Sequence, residues 1–462
     1  MTRRGLVAWL VLEVAACGAS RPAARIAGAS DRAAVGAPSD ATDASTESGG
    51  ETTGAAPARP SLPVPVLSTR LRAALDELAE RVARVRGLAW RRLPDVEIED
   101  AATIARRLRT LIPPDELERA RATYVALGLL PSDVDVFALV AEVAAEQVVG
   151  YWDHKNDRLV IRNDVAAELS RGQGSPEARM TLAHELAHAL QDQHLGLDAA
   201  LAPDLDSDVS SAYRSLVEGD ASLVMLAVLA EQSGVGLDLL VGQQVTLEQA
   251  IEQLRNARSS RLGDAPAVVR YAFLVPYVHG LGLAARLYRK GGFAAVDAAF
   301  RTPPRSMEQV LDPERYLAGE RPERVELPDV AALREAGWSA VHDDTLGQVD
   351  LALYLGQRSA SELDLAGARG WAGDRVRIYR HGDGSLAAVW NLRADRVADA
   401  TRIAEALRET HRRLPAAVTA SPPRVEHVGR DVLLVRGLDA ALASSVVDAW
   451  RADRRAARRS AR

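Results

Sequence analysis

Two histidines, His184 and His188, stand four residues apart in a stretch whose apolar spacing predicts a helix over residues 177–194. On a helix, a four-residue step returns almost to the same face, about one turn further along. The two imidazoles therefore project side by side, and their nitrogens can reach one zinc ion at about 2.0–2.1 Å each. Leu182 and Leu186 supply packing, so we predict an amphipathic helix that carries a metal site.

Glu185 completes the sequence HELAH, the pattern HExxH. As the neighbour of His184 it cannot join the same metal as a ligand, but it can take a proton from a water molecule as general base and pass it to a leaving amine. The alternative is a buried histidine pair without a metal. With nine histidines and 63 acidic residues in the chain, chance produces the pattern in at most about 2% of such chains. The pattern therefore favours a zinc hydrolase.

A catalytic zinc needs a third protein ligand and an open position. His194 lies six residues after His188, but nothing between them breaks the helix, so His194 would lie about 9 Å further along and about 120° around. Glu218 lies on a second predicted helix, residues 208–232, among apolar neighbours. We predict Glu218 as the third ligand, with His194 as the fallback. Gly219, costly inside a helix, predicts close packing against the motif helix.

The HELAH motif followed by EGDA at residues 218–221 resembles the gluzincins, HExxH metallopeptidases of the peptidase MA-like type. The metzincins, whose third ligand has the spacing of His194, have a glycine where this chain has Gln191. Residues 276–280 and 302–310 are similar to segments of uncharacterised bacterial metallopeptidases. The resemblance covers roughly residues 120–320.

The resemblance implies one catalytic Zn²⁺ and a peptide or protein substrate. It also implies that the predicted strand at residues 149–153 is an edge strand to which an extended substrate adds. Tyr277 and His279 are candidate donors to the oxyanion of a tetrahedral intermediate, with packing as the alternative. Asp192 and Asp220 are candidates for orienting a ligand imidazole, with solvated carboxylates as the alternative.

The N-terminus has the pattern of a secretory signal. Arg3 and Arg4 precede an apolar run over residues 5–16, which is too short to span a bilayer. The sequence VAAC resembles the lipobox of bacterial lipoproteins, and Cys17 is the single cysteine of the chain. We predict a lipoprotein signal and lipobox over residues 1–17, with Cys17 acylated, and a plain signal peptide as the alternative.

Residues 18–66 are rich in Ala, Ser, Gly, Thr and Pro, which predicts a disordered tether. We predict an α+β protein with a mainly helical zincin-like domain over residues 67–345, which has a small edge sheet. Its later helices are predicted at residues 246–257, 268–290 and 292–301. A hairpin signature at residues 382–384 belongs to a smaller C-terminal α+β unit, residues 346–452. Residues 453–462 form a basic tail.

The formal net charge is −6, and charges of both signs are interspersed, which excludes a broad nucleic-acid-binding face. No apolar stretch after the signal is free of charge for eighteen residues, so we predict no transmembrane helix. The expected protein is a secreted zinc metallopeptidase, lipid-anchored to a bacterial membrane on its periplasmic or cell-surface face. The alternatives are a catalytically silent surface lipoprotein used for binding or scaffolding, and a zinc hydrolase of a non-peptide amide.

Overall fold

A computed structural model describes seven segments of the chain: residues 67–111, 114–147, 149–197, 205–242, 261–358, 362–413 and 422–460. The predicted signal with Cys17, the predicted tether at residues 18–66 and the predicted helix at residues 246–257 lie outside them.

The larger, N-terminal region is mainly helical. Its three strands are β1 (Asp95–Glu99), β2 (Gly150–Asp153) and β3 (Arg158–Arg162). Its described helices are α1 (Thr69–Arg86), α2 (Ala101–Leu111), α3 (Pro114–Ala126), α4 (Val136–Gln147), α5 (Asn163–Ser170), α6 (Pro176–Leu195), α7 (Ser207–Ser233), α8 (Leu237–Gly242), α9 (Arg261–Asp264), α10 (Ala267–Arg301), α11 (Met307–Leu311) and α12 (Pro313–Leu317).

The C-terminal region alternates strands and helices around one sheet. Its elements are α13 (Ala331–Glu335), β4 (Trp338–Asp344), α14 (Gly347–Gly356), α15 (Leu365–Ala368), β5 (Trp371–His381), β6 (Leu386–Ala394), α16 (Val397–Arg413), β7 (Arg424–Val428), β8 (Asp431–Arg436) and α17 (Ala440–Ser460). The predicted α+β class, with a helical region and a sheet-containing C-terminal unit, is confirmed.

The small N-terminal sheet has the strand order β1-β3-β2, with β1 parallel and β2 antiparallel to β3. The hairpin of β2 and β3 turns at residues 154–157, where the sequence predicted it, and Asp157 adopts a left-handed backbone with φ of 51°. Because β2 pairs only with β3, it is an edge strand.

Helix α6 carries the HELAH motif and runs unbroken past Gln191. The Ser175 hydroxyl accepts a hydrogen bond from the Ala178 amide, and the chain leaves the helix at Gly196 with φ of 69°. Residues 181–191 are all buried, because α6 packs against α7, α1 and β2. The amphipathic prediction is therefore wrong: the middle of α6 is enclosed on every side.

Gly219 on α7 meets Gly280 on α10. A Cβ atom at Gly219 would lie 2.1 Å from the Gly280 carbonyl oxygen, and one at Gly280 would lie 2.0 Å from the Ser215 carbonyl oxygen. Glycine is required here because the two backbones touch. The prediction that Gly219 packs against the motif helix is wrong, since its partner is α10. This crossing sets the position of the turn of α7 that carries Glu218.

Gly280→Ala is expected to lower the free energy of unfolding by about 1–3 kcal/mol, because the added methyl group forces two helix backbones apart. Gly282→Ala is the matched control, since a Cβ atom there meets nothing within 4 Å; it should gain up to about 1 kcal/mol from helix propensity. Urea unfolding of both variants measures the difference. Equal stability of the two variants would contradict the close crossing.

Helix α10 bends sharply at Gly291 and Gly292, where the backbone leaves helical angles, and so confirms the two helices predicted at residues 268–290 and 292–301. Among the described residues, α10 is the one helix long and apolar enough to cross a membrane. Because 61% of its most apolar window is buried in the protein, its surroundings are those of a core helix.

The C-terminal sheet has the strand order β4-β5-β6-β8-β7, and all neighbouring strands are antiparallel. Trp390 on β6 faces the core beneath α14 and α16, whereas Val389 faces the core beneath α17. Strand β4 ends at Asp344, directly before the boundary predicted at residue 346. The boundary lies too late, because β4 pairs with β5 and belongs to this sheet.

The predicted basic tail at residues 453–462 is not a separate segment within the described residues. Helix α17 continues through Ser460. Arg454 is only 7% exposed, and its Nη1 lies 3.2 Å from Asp431 Oδ1 on β8. This part of the chain is therefore docked by an ion pair onto the sheet.

The N-terminus of α7 rests on the C-terminal unit. The Ser207 amide donates to Asp344 Oδ1 at 2.9 Å, and the Asp208 amide donates to the Thr345 carbonyl at 3.1 Å. Arg375 on β5 pairs with Asp206 at 2.7 Å. Because helix amides of the first turn lack partners within their own helix, these bonds fix where α7 begins.

Candidate metal centre

Three side chains from α6 and α7 converge in the core. His184 Nε2 lies 2.9 Å from His188 Nε2 and 3.2 Å from Glu218 Oε2, and His188 Nε2 lies 3.6 Å from Glu218 Oε2. The exposed fractions of the three side chains are 2%, 1% and 0%. Within the described chain, this is the one group of three such residues close enough to hold a metal ion.

The spacing of the donor atoms fits zinc. Ligand atoms at about 2.0–2.1 Å from a tetrahedral zinc ion lie about 3.3 Å from one another, and the three observed distances bracket this value. Two imidazoles and one carboxylate are also the donor set of many catalytic zinc sites, which keep the fourth position open. The residues present therefore fit a zinc ion.

Glu218 is a carboxylate in a fully enclosed position. Burial alone would raise its pKa, but the hydrogen bonds and charges of His184 and His188 outweigh burial and lower the pKa below its usual value. Its second oxygen, Oε1, is buried without a hydrogen-bond partner within the described part of the chain. The acceptor oxygen that faces the two imidazoles is thus anionic.

Gln191 sets the tautomer of His188. Its Nε2 donates to the Val217 carbonyl at 2.9 Å and to Asp220 Oδ2 at 3.0 Å. Its Oε1 therefore faces His188 Nδ1, at 2.8 Å. Because an amide oxygen only accepts, His188 Nδ1 carries the proton, and in the neutral ring the lone pair is then on Nε2, the nitrogen that faces His184 and Glu218.

Behind Gln191 lies a buried ion pair. Arg86 on α1 pairs with Asp220 at 3.0 Å, and the two side chains are 1% and 0% exposed. Arg86 also pairs with Asp297 at 2.5 Å and lies over the ring of Phe293, 4.7 Å from its centroid. Asp220 thus supports the imidazole of His188 through Gln191.

Asp192, a predicted candidate for orienting a ligand imidazole, contacts Trp152. Asp192 Oδ2 accepts a hydrogen bond from the indole Nε1 of Trp152 at 2.9 Å. Gln191, one position earlier on α6, takes the predicted role. Asp220, the other predicted carboxylate, contributes through Gln191 and not through direct contact.

Gln191→Leu is expected to weaken zinc binding about 10–100-fold, because His188 loses the partner that fixes its tautomer and ring orientation. Gln193→Leu, two residues along the same helix, is the matched control, since Gln193 bonds to the exposed residues Arg91 and Arg92. Titration against a chromophoric chelator measures both affinities. Unchanged affinity in Gln191→Leu would contradict the role assigned to its amide.

Glu185 is 1% exposed, and its Oε2 accepts a hydrogen bond from the Trp152 backbone amide at 3.0 Å. Since Trp152 lies on β2, the edge strand is bonded directly to the motif helix. This bond orients the carboxylate of the predicted general base with respect to the histidine on either side of it, His184 and His188.

Strand β2 is the predicted edge strand, but its edge is not open. All four of its residues are buried, and the Trp152 amide is already bonded to Glu185. The Trp152 amide is thus occupied by Glu185, and the addition of an extended substrate along β2 stays a prediction.

Tyr277 stacks on His184, with ring centroids 5.8 Å apart and an angle of 25° between the planes. Both rings of this pair come from sequence-predicted site residues. His279 lies two residues further along α10, and its predicted role as a donor to the oxyanion stays a prediction.

His194 is outside the cluster. Its Nε2 lies 2.7 Å from the carbonyl oxygen of Ala89, in the segment after α1. Because α6 continues to Leu195, His194 lies nearly two turns beyond His188, as the unbroken helix predicted.

Sequence reasoning missed three residues of this centre: Gln191, Arg86 and Arg214. Arg214 lies four residues before Glu218 on α7, with its Nε 4.0 Å from Glu218 Oε1. The four-residue spacing of Arg214 and Glu218 could have identified Arg214 from the sequence, since residues four apart share a helix face. Nothing in the sequence connects Arg86 with residue 220.

A family described as a domain of unknown function (DUF8575) matches residues 334–447. The match spans the strands and most of the helices of the C-terminal unit, and His184, His188 and Glu218 lie before it. No curated protein and no solved structure matches the chain.

Proposed function

We propose that this chain is a zinc-dependent hydrolase that cleaves peptide bonds, with His184, His188 and Glu218 as the metal ligands. The observation that carries the proposal is the triangle of donor atoms, 2.9 to 3.6 Å on a side, with Glu185 between the two histidines of the same helix. A bound zinc ion would polarise a substrate carbonyl and lower the pKa of a water molecule.

The chain's own residues divide the remaining tasks. Glu185, held by the Trp152 amide, accepts a proton from the attacking water and delivers it to the leaving amine. Gln191 keeps His188 in the tautomer that presents Nε2. Tyr277, whose ring stacks on His184, donates a hydrogen bond to the oxyanion as it forms.

The described part of the chain brings three ligands together, which favours a catalytic site over a structural one, because structural zinc sites are closed by four. The intact Glu185 also favours catalysis over a role in binding or scaffolding, since a metal-binding relic has no use for a base. The same residues would serve hydrolysis of a non-peptide amide, so the substrate panel includes one.

We also propose the location predicted from residues 1–17: the chain is exported, Cys17 is acylated, and the acyl group anchors the protein to a membrane. The support is the single cysteine of the chain, which stands at the end of the sequence VAAC.

The test compares casein, a peptide panel and a simple acyl amide as substrates of the wild-type protein and of Glu185→Gln, at equal zinc content. Wild-type turnover that is lost in the variant supports the proposal. Equal inertness of both proteins with zinc bound rejects it.

A further inference from the structure

Arg214 is a buried cation beside the proposed metal ligands. Its side chain is 7% exposed, and its Nε lies 4.0 Å from Glu218 Oε1, beyond hydrogen-bond distance. Within the part of the chain that the structure describes, its Nε and Nη2 have no hydrogen-bond partner. Because buried donors without acceptors are destabilising, the two donors of Arg214 are suited to bind an acceptor group of a bound substrate.

The two donors without partners define the shape of that group. Nε–H and Nη2–H lie on one edge of the guanidinium and point in parallel, so together they bind both oxygens of one carboxylate. A neutral carbonyl offers them one uncharged oxygen, whereas a carboxylate offers one charged oxygen to each donor. The geometry therefore favours a carboxylate.

The charges agree with this selection. A divalent cation together with Arg214 brings three positive charges, whereas Glu185 and Glu218 bring two negative ones. One further carboxylate balances the enclosed site, where an uncompensated charge is costly.

The distance limits which carboxylate can bind. Arg214 Nε is 4.0 Å from Oε1 of the same carboxylate whose Oε2 meets His184 and His188. One residue of extended chain spans about 3.3–3.6 Å. A carboxylate bound by Arg214 therefore belongs to a residue next to the bond that is cleaved, or one position further on.

We propose that Arg214 binds a substrate carboxylate, so that this site cleaves a peptide bond adjacent to a free carboxylate. The inference rests on the proposed function. The carboxylate comes either from the C-terminus of a peptide or from an acidic side chain, and the two sources are separated by the choice of peptides.

The test uses four acylated peptides: one with a free C-terminus, its amidated form, an amidated peptide with an internal aspartate, and its asparagine counterpart. Wild-type kcat/KM is expected to be about 10–100-fold higher for the free acid, or for the aspartate peptide, than for its neutral partner. Arg214→Gln should lower kcat/KM more for the acidic peptides than for their neutral partners, so that the ratio between them falls to about one, and Arg214→Lys should restore the ratio only in part. Arg286→Gln, which removes an exposed ion pair with Glu314, is the control and should keep the preference.

Binding provides a readout independent of turnover. Calorimetry of the same peptides with zinc-loaded Glu185→Gln, with and without Arg214→Gln, should show the same Arg214-dependent preference. Equal binding of acid and neutral peptides overturns the inference and leaves the proposed function standing. An Arg214-dependent preference in binding without wild-type hydrolysis rejects the proposed function, and with it the cleavage, and leaves carboxylate binding by Arg214 standing. Loss of zinc, or an equal loss for all four peptides, in Arg214→Gln would show that Arg214 positions Glu218, which also overturns the inference.

Discussion

Glu185→Gln is expected to retain one zinc ion and to lose peptide hydrolysis by about 10²–10⁴-fold in kcat/KM, the usual contribution of a positioned general base. The amide of glutamine has nearly the shape of the carboxylate, so the contact with the Trp152 amide can persist through its oxygen. The glutamine side chain cannot, however, accept a proton from water. The defect should therefore fall on kcat and leave zinc content unchanged.

Glu177→Gln is the matched control for this variant. Glu177 is exposed in the first turn of the same helix, so the same change of charge there should leave turnover at the wild-type level. Zinc content is measured by elemental analysis and turnover with a fluorogenic peptide. Retention of full activity by Glu185→Gln would exclude Glu185 as the base.

Glu218→Gln should weaken zinc binding by about 10²–10⁴-fold. Zinc binding by the four ligands of a structural site is worth roughly 10–16 kcal/mol, or about 3–4 kcal/mol per ligand, and an anionic ligand contributes at least that much. Two imidazoles then remain as the only donors of the triangle. The same titration against a chelator gives the affinity.

Two further variants make the result specific. Glu231→Gln changes an exposed carboxylate near the other end of α7, paired with Arg84, and should bind zinc as tightly as the wild type. His194→Ala should also do so, because His194 bonds to Ala89 outside the cluster. Normal affinity in Glu218→Gln together with weak affinity in His194→Ala would reverse the assignment of the third ligand.

Much of the centre could be predicted because its determinants are local. The four-residue spacing of His184 and His188 fixes their common helix face, and the absence of a helix breaker near Gln191 removes His194. The hairpin at residues 154–157 and the bend at residues 291–292 could also be predicted, because the sequence has turn-forming residues at both places.

The rest depends on contacts between distant segments. Gly219 signalled a close approach, but only the fold shows that its partner is Gly280 and not the motif helix. Gln191 contacts His188 because its amide nitrogen bonds to Asp220, whereas the carboxylate of Asp192 bonds to the indole of Trp152. Strand β1 was missed, although the alternation in Asp95–Glu99 is a strand pattern, because its pairing partner lies about sixty residues later along the chain.

The seating of α7 on the C-terminal unit has a consequence for how this chain is divided. The family match begins at residue 334, ten residues before Asp344, whose carboxylate receives the Ser207 amide. A fragment cut at that point would keep His184, His188 and Glu218 yet leave the first turn of α7 without its acceptors. The matched domain and the part of the chain that holds the three donor side chains in place therefore have different borders. Recombination that exchanged one C-terminal unit for another would have to keep the acceptors of the first turn of α7, because that turn leads to Glu218.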